Sequence, residues 1–163
     1  TLSTIIIMGQ DRDVAMGLSV KAMIFFGAKL LLLRKNDGKT VSHWEFPGGG
    51  LRRGENFLDG LYREVKEETG LSVHVDGLAG TWQYRKRNGQ FLNGVIYTAT
   101  ATQKEVMISS EHTDYAWVRP DELNQYPIHA SLHTALRQME KIPAFSSELL
   151  KEFLTAPREA ARE

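Results

Sequence analysis

The sequence predicts an α/β fold with a mixed sheet between helices. Three observations predict it: a central amphipathic helix runs over 56–70, strand-like segments stand on both sides of it, and another helix follows late in the chain. Strands divided around one helix, with a further helix after them, favour a sheet covered by helical layers. A length of 163 residues suits one domain with a full core.

The segments before the central helix are predicted to form a strand hairpin. Residues 19–26 and 30–35 have the composition of strands, and residues 27–29 between them form a turn. Residues 1–17 mix a short apolar run with polar residues. They are interpreted as an N-terminal arm or extra strand ahead of a domain over residues 18–163.

The central helix carries signals for both of its ends and for its buried face. Asn56 is a good N-cap residue, and Gly70 suits the left-handed conformation that ends a helix. Apolar side chains recur at three- and four-residue steps, which predicts a buried stripe of Leu58, Leu61, Tyr62, Val65 and Thr69. Arg63 and Glu67 lie on the opposite side of the helix.

Strands resume after this helix. Two long strands are predicted over 72–87 and 90–102, and the Asn-Gly pair at 88–89 between them is a strong hairpin signal. A short strand is predicted over 115–118.

Helical segments end the predicted order. A helical turn begins at Pro120, since proline is favoured early in a helix. A helix is predicted over 131–141, with an inner face of Leu132, Ala135, Leu136 and Met139. A last helix is predicted over 146–154.

The central helix brings acidic side chains together. At about 100° per residue, Glu64, Glu67 and Glu68 fall within an arc of about 100°. Carboxylates crowded on one face repel one another unless a cation lies between them. Oxygen ligands favour a hard ion, Mg²⁺ or Mn²⁺. Taken alone, the three glutamates also fit a solvated acidic face.

The spacing around these glutamates follows a known pattern. It is Gly, five residues, Glu, seven residues, Arg-Glu, an apolar residue, any residue, Glu-Glu, any residue, Gly and an apolar residue. Every position is met, by Gly49, Glu55, Arg63, Glu64, Val65, Glu67, Glu68, Gly70 and Leu71. The chain resembles the Nudix hydrolases, and its MutT-like members in particular. The resemblance covers roughly 18–140 and implies the family's α/β/α sandwich.

The resemblance implies an enzyme that hydrolyses the pyrophosphate bond of nucleoside diphosphate derivatives with Mg²⁺ or Mn²⁺. It implies metal ligands at Glu64, Glu67 and Glu68, joined by the carbonyl of Gly48. Arg63 is assigned to the catalytic group because a guanidinium can orient neighbouring carboxylates by bidentate pairing. Glu55 is expected to brace the loop.

A further carboxylate is expected from outside the helix. Glu111 stands in a polar loop six residues ahead of Trp117. In MutT-like members a loop glutamate at that spacing approaches the metal and acts as general base. Glu111 is therefore predicted as metal ligand and catalytic base, with an ordinary loop glutamate as the alternative. The neighbouring His112 is left without a role.

Substrate contacts are predicted at Arg52, Arg85 and His129, and two aromatic residues are further candidates. Arg52, after the glycine loop, and Arg85, at the hairpin, are candidates for phosphate contacts, and solvated loop ends are the alternative. His129 stands where MutT-like enzymes place a base-reading asparagine. It is a candidate to read the base, or else a helix-start histidine bound to backbone. Trp82 and Tyr84 are candidates to stack on a base, or else core residues.

Two other functions stay open at this point. One keeps the chemistry but acts on ADP-ribose or another nucleotide sugar, and the other is a Nudix module that senses a nucleotide without cleaving it. The histidine at 129 departs from the oxidised-guanine sanitisers, and the proline that marks many ADP-ribose hydrolases is missing. The intact set of glutamates argues against a pure binder.

Composition limits the partners. Twenty basic and twenty acidic residues cancel, so no global charge favours a nucleic acid or a membrane. No cysteine is present, which excludes disulfides and thiolate chemistry. The apolar run at 5–8 is too short to span a membrane. A nucleotide-type small molecule is the expected partner, the cytoplasm the expected location, and a homodimer is possible.

Overall fold

The computed structural model describes residues 16–139 of the chain. The expected arm over residues 1–17 lies almost wholly outside this part, and so does the helix predicted over 146–154. The predicted helix over 131–141 is described up to Met139.

Seven strands and two α-helices are formed in the described part. The strands are β1 (Gly17–Phe26), β2 (Lys29–Lys35), β3 (Trp44–Glu45), β4 (Gly48–Gly50), β5 (Val73–Arg85), β6 (Phe91–Ala101) and β7 (His112–Val118). The helices are α1 (Phe57–Thr69) and α2 (Ala130–Met139), and a 3-10 helix spans Pro120–Gln125. The predicted elements appear in the predicted order, and two short strands, β3 and β4, are added between β2 and α1.

The sheet is mixed and is built around β1. One edge of β1 pairs in parallel with β6 along most of its length. Its other edge is shared, because β4 pairs with the first half and β2 with the end, both antiparallel. β5 adds to β6 as a hairpin, and β7 adds to β2. β4, the glycine strand (Gly48–Gly50), thereby lies beside β1 at the centre of the sheet.

Each face of the sheet is covered by one of the α-helices. Alternate residues of β1, among them Val20 and Ile24, pack with Leu61 and Val65 of α1. On the other face, Leu30 and Leu32 of β2 pack with Phe46, Leu132 and Ala135. The α/β/α sandwich is confirmed by this arrangement. No helix within residues 16–139 is long and apolar enough to cross a membrane.

The buried face of α1 differs from the predicted stripe. Leu61, Val65 and Thr69 are buried, but Leu58 and Tyr62 are 43% and 45% exposed, so their predicted burial is wrong. The helix is turned toward its acidic side, and Glu68 is only 4% exposed. The reason is a polar contact: Gly48 N donates to Glu68 Oε2 at 2.9 Å. The sheet therefore binds α1 partly through the Glu68 carboxylate, a contact that the spacing of apolar residues does not predict.

The caps of α1 agree with the sequence. The Asn56 side chain accepts a hydrogen bond from Asp59 N at 2.8 Å. Gly70 adopts φ 70°, and its N–H binds the carbonyl of Lys66.

β7 begins at His112, three residues before the predicted strand, because His112 pairs opposite Lys35 of β2. The loop with Glu111 therefore ends directly at the sheet.

Candidate active site

A cavity of about 550 Å³ opens between β4, α1, the loop before β7 and the start of α2. Its lining includes most residues expected from the sequence, namely Gly48, Arg52, Arg63, Glu64, Glu67, Glu68, Glu111 and His129. Arg85 is the exception, since it does not line this cavity and its guanidinium lies 5.7 Å from the centre of the Phe91 ring. The fold thus collects acidic groups and His129 around one space and leaves Arg85 on the hairpin.

Arg63 organises the carboxylates at the mouth of the cavity. Its Nε and Nη2 donate to the two oxygens of Glu55 at 2.7 and 2.8 Å, which is a bidentate pair. Its Nη1 donates to Glu64 at 2.8 Å and to Glu67 at 3.2 Å. Hydrogen bonds from Arg63 and from the backbone of Arg52 lower the pKa of Glu55 to about 2. Glu55 therefore stays ionised and anchors the guanidinium beside Glu64 and Glu67.

Glu68 has a different environment from the other two glutamates. Its carboxylate is buried against β4, and burial raises its pKa to about 7, although Lys21 and the N–H of Gly48 oppose the rise. A cation near this carboxylate would favour the ionised form. Glu68 is thus a buried acid in the cavity wall, and a bound cation would lower its pKa and stabilise its ionised form.

The donor set fits a hard divalent cation. Carboxylates of α1, the Gly48 carbonyl and Glu111 are all oxygen donors that line the same cavity. Gly49 leaves room for them, because a Cβ there would lie 2.8 Å from the carboxylate of Glu64. In residues 16–139 no three acidic or histidine side chains already form a metal-binding group. Arg63 and Arg52 hold Glu64 and Glu67 in ion pairs instead, which a bound cation would have to replace.

The close approach of Gly49 to Glu64 gives a test. We expect Gly49→Ala to weaken Mg²⁺ or Mn²⁺ binding about 10–100-fold, the usual effect of disturbing a group that orients a ligand. The added methyl displaces only the far end of a flexible side chain, so the melting temperature should hold. Gly50→Ala is the matched control, since its Cβ meets nothing nearer than Leu18 O at 3.9 Å. Isothermal titration of metal into both variants checks the expectation, and equal affinities would contradict it.

Glu111 lies at the rim of the cavity on a loop held from one side by β2. Asn36 donates from its backbone to the carbonyl of Glu111 at 2.9 Å and from its side chain to the carbonyl of Ser110 at 2.8 Å. The Glu111 side chain is exposed. The loop backbone is therefore fixed while the Glu111 side chain stays exposed at the rim of the cavity.

The far end of the cavity is aromatic. The rings of His43 and Tyr84 meet the His129 ring edge-on, at centroid distances of 4.6 and 5.0 Å. His129 Nδ1 accepts from the backbone N–H of Ser131 at 3.2 Å, so this imidazole also caps α2. Burial lowers the pKa of both His43 and His129. Both rings are therefore neutral at pH 7, and Nε2–H of His129 is left as a donor.

Sequence reasoning missed a buried charged group in the cavity wall. Lys21 and Glu45 line the cavity and form an ion pair, with Nζ and Oε2 3.6 Å apart. His112, which the sequence left without a role, bonds to Glu45. The available signal was a single lysine within the otherwise apolar run from Val20 to Phe26. His43 was missed as well, and nothing in its sequence neighbourhood marks it.

Comparison with known proteins identifies the family of this chain. The chain matches the NUDIX domain family over residues 17–139. It therefore belongs to the Nudix hydrolase family. The nucleoside triphosphatase NudI of Escherichia coli O139:H28 (strain E24377A / ETEC) is 29% identical over 122 residues, which cover 68% of this chain and 86% of that protein.

Solved structures agree on the fold. The MutT protein from Methanosarcina mazei Go1 superposes with a TM-score of 0.69 at 24% identity, covering 80% of this chain and 97% of that one. A NUDIX hydrolase from Nitrosomonas europaea gives 0.66 at 20% identity, covering 83% and 95%. At these identities the likeness concerns the architecture and says nothing about the substrate.

Proposed function

We propose that this Nudix hydrolase is a Mg²⁺- or Mn²⁺-dependent pyrophosphohydrolase of nucleoside di- or triphosphate derivatives. The observation that carries the proposal is that one cavity has an acidic end around Glu64 and Glu68 and an aromatic end around His129. A nucleotide complements both ends. Its polyphosphate would bind through a cation held by the carboxylates, and its base would lie against the aromatic rings. The name of the NudI relative, a nucleoside triphosphatase, favours the same substrate class.

The acidic end would hold the cation. Glu64, Glu67, Glu68 and the Gly48 carbonyl would be its ligands, with Glu111 approaching from the loop. A bound divalent cation supplies charge neutralisation for phosphate oxygens and a more acidic water molecule.

The remaining chemistry belongs to the side chains of the chain. Glu111 accepts a proton from the attacking water, as its place at the rim of the cavity allows. Arg63, released from part of its ion pairing, keeps Glu55 as its fixed anchor. Arg52 is 66% exposed at the mouth, where its guanidinium would bind an outer phosphate oxygen. The base lies among Tyr84, His43 and His129, where two neutral imidazoles offer directed hydrogen bonds.

A substrate panel tests this function. Normal and oxidised nucleoside triphosphates, ADP-ribose, dinucleotides and capped RNA are incubated with Mg²⁺, and the phosphate products are identified. We expect nucleoside triphosphates to give the highest kcat/KM. Preferred turnover of ADP-ribose would replace the substrate class and keep the chemistry, whereas no turnover of any compound would contradict the proposal. The homodimer and the cytoplasmic location stay predictions from the sequence.

Metal should stabilise the fold. A cation that binds only the native state adds about 2.7 kcal/mol at a concentration of 100 Kd. We therefore expect millimolar Mg²⁺ or Mn²⁺ to raise the melting temperature, measured by calorimetry against NaCl of equal ionic strength. Glu64→Ala should reduce the rise, because it removes a ligand without touching the Glu68–Gly48 contact. Identical melting curves with and without Mg²⁺, Mn²⁺ and Ca²⁺ would contradict the metal site.

His129 should influence which nucleotide is chosen. His129→Ala removes both the α2 cap and the Nε2–H donor, whereas His129→Ser keeps a capping oxygen on a side chain too short to replace the ring donor. We expect both variants to reduce the preference among bases by about 1–2 kcal/mol, the scale of a lost recognition hydrogen bond. Only His129→Ala should also lower the melting temperature. Equal losses of kcat/KM for every nucleotide would make His129 a structural residue.

A further inference from the structure

Three buried polar side chains form a network in the wall of the cavity, apart from the glutamates of α1. Lys21 Nζ lies 3.6 Å from Glu45 Oε2, and His112 Nε2 lies 2.9 Å from Glu45 Oε1. The side chains are 8%, 12% and 1% exposed, in the order Lys21, Glu45 and His112. Burial would raise the pKa of Glu45, but Lys21 and the hydrogen bond from His112 outweigh it and bring the pKa to about 2. Glu45 is therefore a charged group with two buried partners, and the half-exposed Lys35 adds a third contact at 4.0 Å from its Oε1.

The ammonium of Lys21 is held by backbone carbonyls as well as by Glu45. An ammonium carries three N–H donors. Besides Glu45, they reach the carbonyl of Phe46 at 3.3 Å and the carbonyl of Gly48 at 3.4 Å. The aromatic face of Trp82 covers another side, with the ring centre 5.7 Å from Nζ. Lys21 thus holds the backbone that leads into β4.

Fold stability does not explain this network. Buried ion pairs are often replaceable by apolar residues without loss of stability, because desolvation offsets their attraction. His112 Nδ1 is also buried with no hydrogen-bond partner among the described residues, so its imidazole depends on the bond to Glu45. Well-packed apolar side chains in place of this network would avoid both the desolvation of the ion pair and the burial of an unpaired Nδ1.

The network connects two parts of the candidate metal site that are far apart in the chain. At one end Lys21 holds the carbonyl of Gly48, and at the other His112 directly follows Glu111. We propose that Lys21, Glu45 and His112 form a positioning network that sets the distance between the Gly48 carbonyl and Glu111. The inference rests on the proposed function, in which these two groups take part in binding the cation.

A double-variant cycle separates positioning from stability. Lys21→Met and Glu45→Gln each leave a buried charge without its partner, so each should lower the melting temperature measured without metal. The double variant leaves neither member of this ion pair charged, so it should melt closer to the wild type than either single variant does. We expect Mn²⁺ affinity, titrated by electron paramagnetic resonance, to stay about 10–100-fold weaker in the double variant than in the wild type. A lower kcat at saturating Mg²⁺ should accompany it.

Controls keep the outcomes distinct. Lys29→Met removes a strand lysine that does not line the cavity, and it should leave melting, Mn²⁺ affinity and kcat unchanged. If the double variant does not fold, His112→Leu cuts the same connection without stranding a lysine, and weaker Mn²⁺ binding is again expected. Wild-type Mn²⁺ affinity in the folded double variant, or in His112→Leu, would overturn the inference. A wild-type protein that binds no Mn²⁺ would overturn the proposed metal site, and this inference with it.

Discussion

Replacing Glu67 with glutamine is expected to lower kcat by at least about 10²-fold, comparable with the loss of a key electrostatic group. The change keeps the size of the side chain and removes one negative charge from the acidic end of the cavity. Glu67 pairs with Arg52 and Arg63 at 3.2 Å each, and its side chain is 48% exposed. Such exposed pairs contribute only about 0–1 kcal/mol. The melting temperature without metal should therefore change little.

Steady-state kinetics at saturating Mg²⁺, together with calorimetry, measure both parts of this expectation. Glu105→Gln is a suitable control, because Glu105 is exposed and does not line the cavity. Near-wild-type kcat in Glu67→Gln would sink the assignment of this residue to the metal. A large fall in melting temperature would instead mean that the ion pairs with Arg52 and Arg63 are structural.

Glu111→Gln is expected to lower kcat by about 10²–10⁴-fold, the range of general acid–base groups. The side chain is exposed on a loop whose backbone is held by Asn36, so the substitution leaves no cavity in the core. The rate should fall while the fold persists. The pH dependence of kcat should also change shape, because the group that takes the proton from water is gone.

The matching measurement is a pH–rate profile of the wild type, Glu111→Gln and Glu105→Gln. Glu105 lies in the same connection between β6 and β7, and glutamine there should have no effect. If Glu111→Gln retains both kcat and the shape of the profile, the base lies elsewhere, and Glu64 is the next candidate. A lower kcat with an unchanged profile would favour a ligand role for Glu111 over a role as base.

Local sequence signals predicted the order of elements well. The Asn-Gly pair at 88–89, the N-cap at Asn56 and the glycine at position 70 act within a few residues, and each appears as expected. Apolar periodicity was less reliable for α1. It predicted burial of Leu58 and Tyr62, but the helix turns so that Glu68 faces β4. A hydrogen bond to a strand twenty residues earlier in the chain competes with apolar burial, and periodicity contains no information about it.

The candidate site also combines features that the sequence predicts with features that depend on how distant segments pack. Glu64, Glu67 and Glu68 could be grouped from the sequence because a helix places nearby residues on one face at known angles. Arg52 and Arg85 were equal candidates for phosphate contacts in the sequence, yet only Arg52 lines the cavity. Lys21, Glu45 and His112 come from β1, β3 and β7, and their contacts depend on how these strands pair. No local pattern could have joined them.

By itself the sequence determined the family, the sandwich of helices around a mixed sheet and the acidic face of α1, because these depend on short spacings along the chain. Tertiary structure alone decided that the glycine strand lies in the middle of the sheet, that Glu68 is buried, and that an aromatic pocket with His43 faces the carboxylates. It also decided which charges pair inside the cavity wall. Strand pairing and desolvation set these features, and both arise only when distant segments pack together.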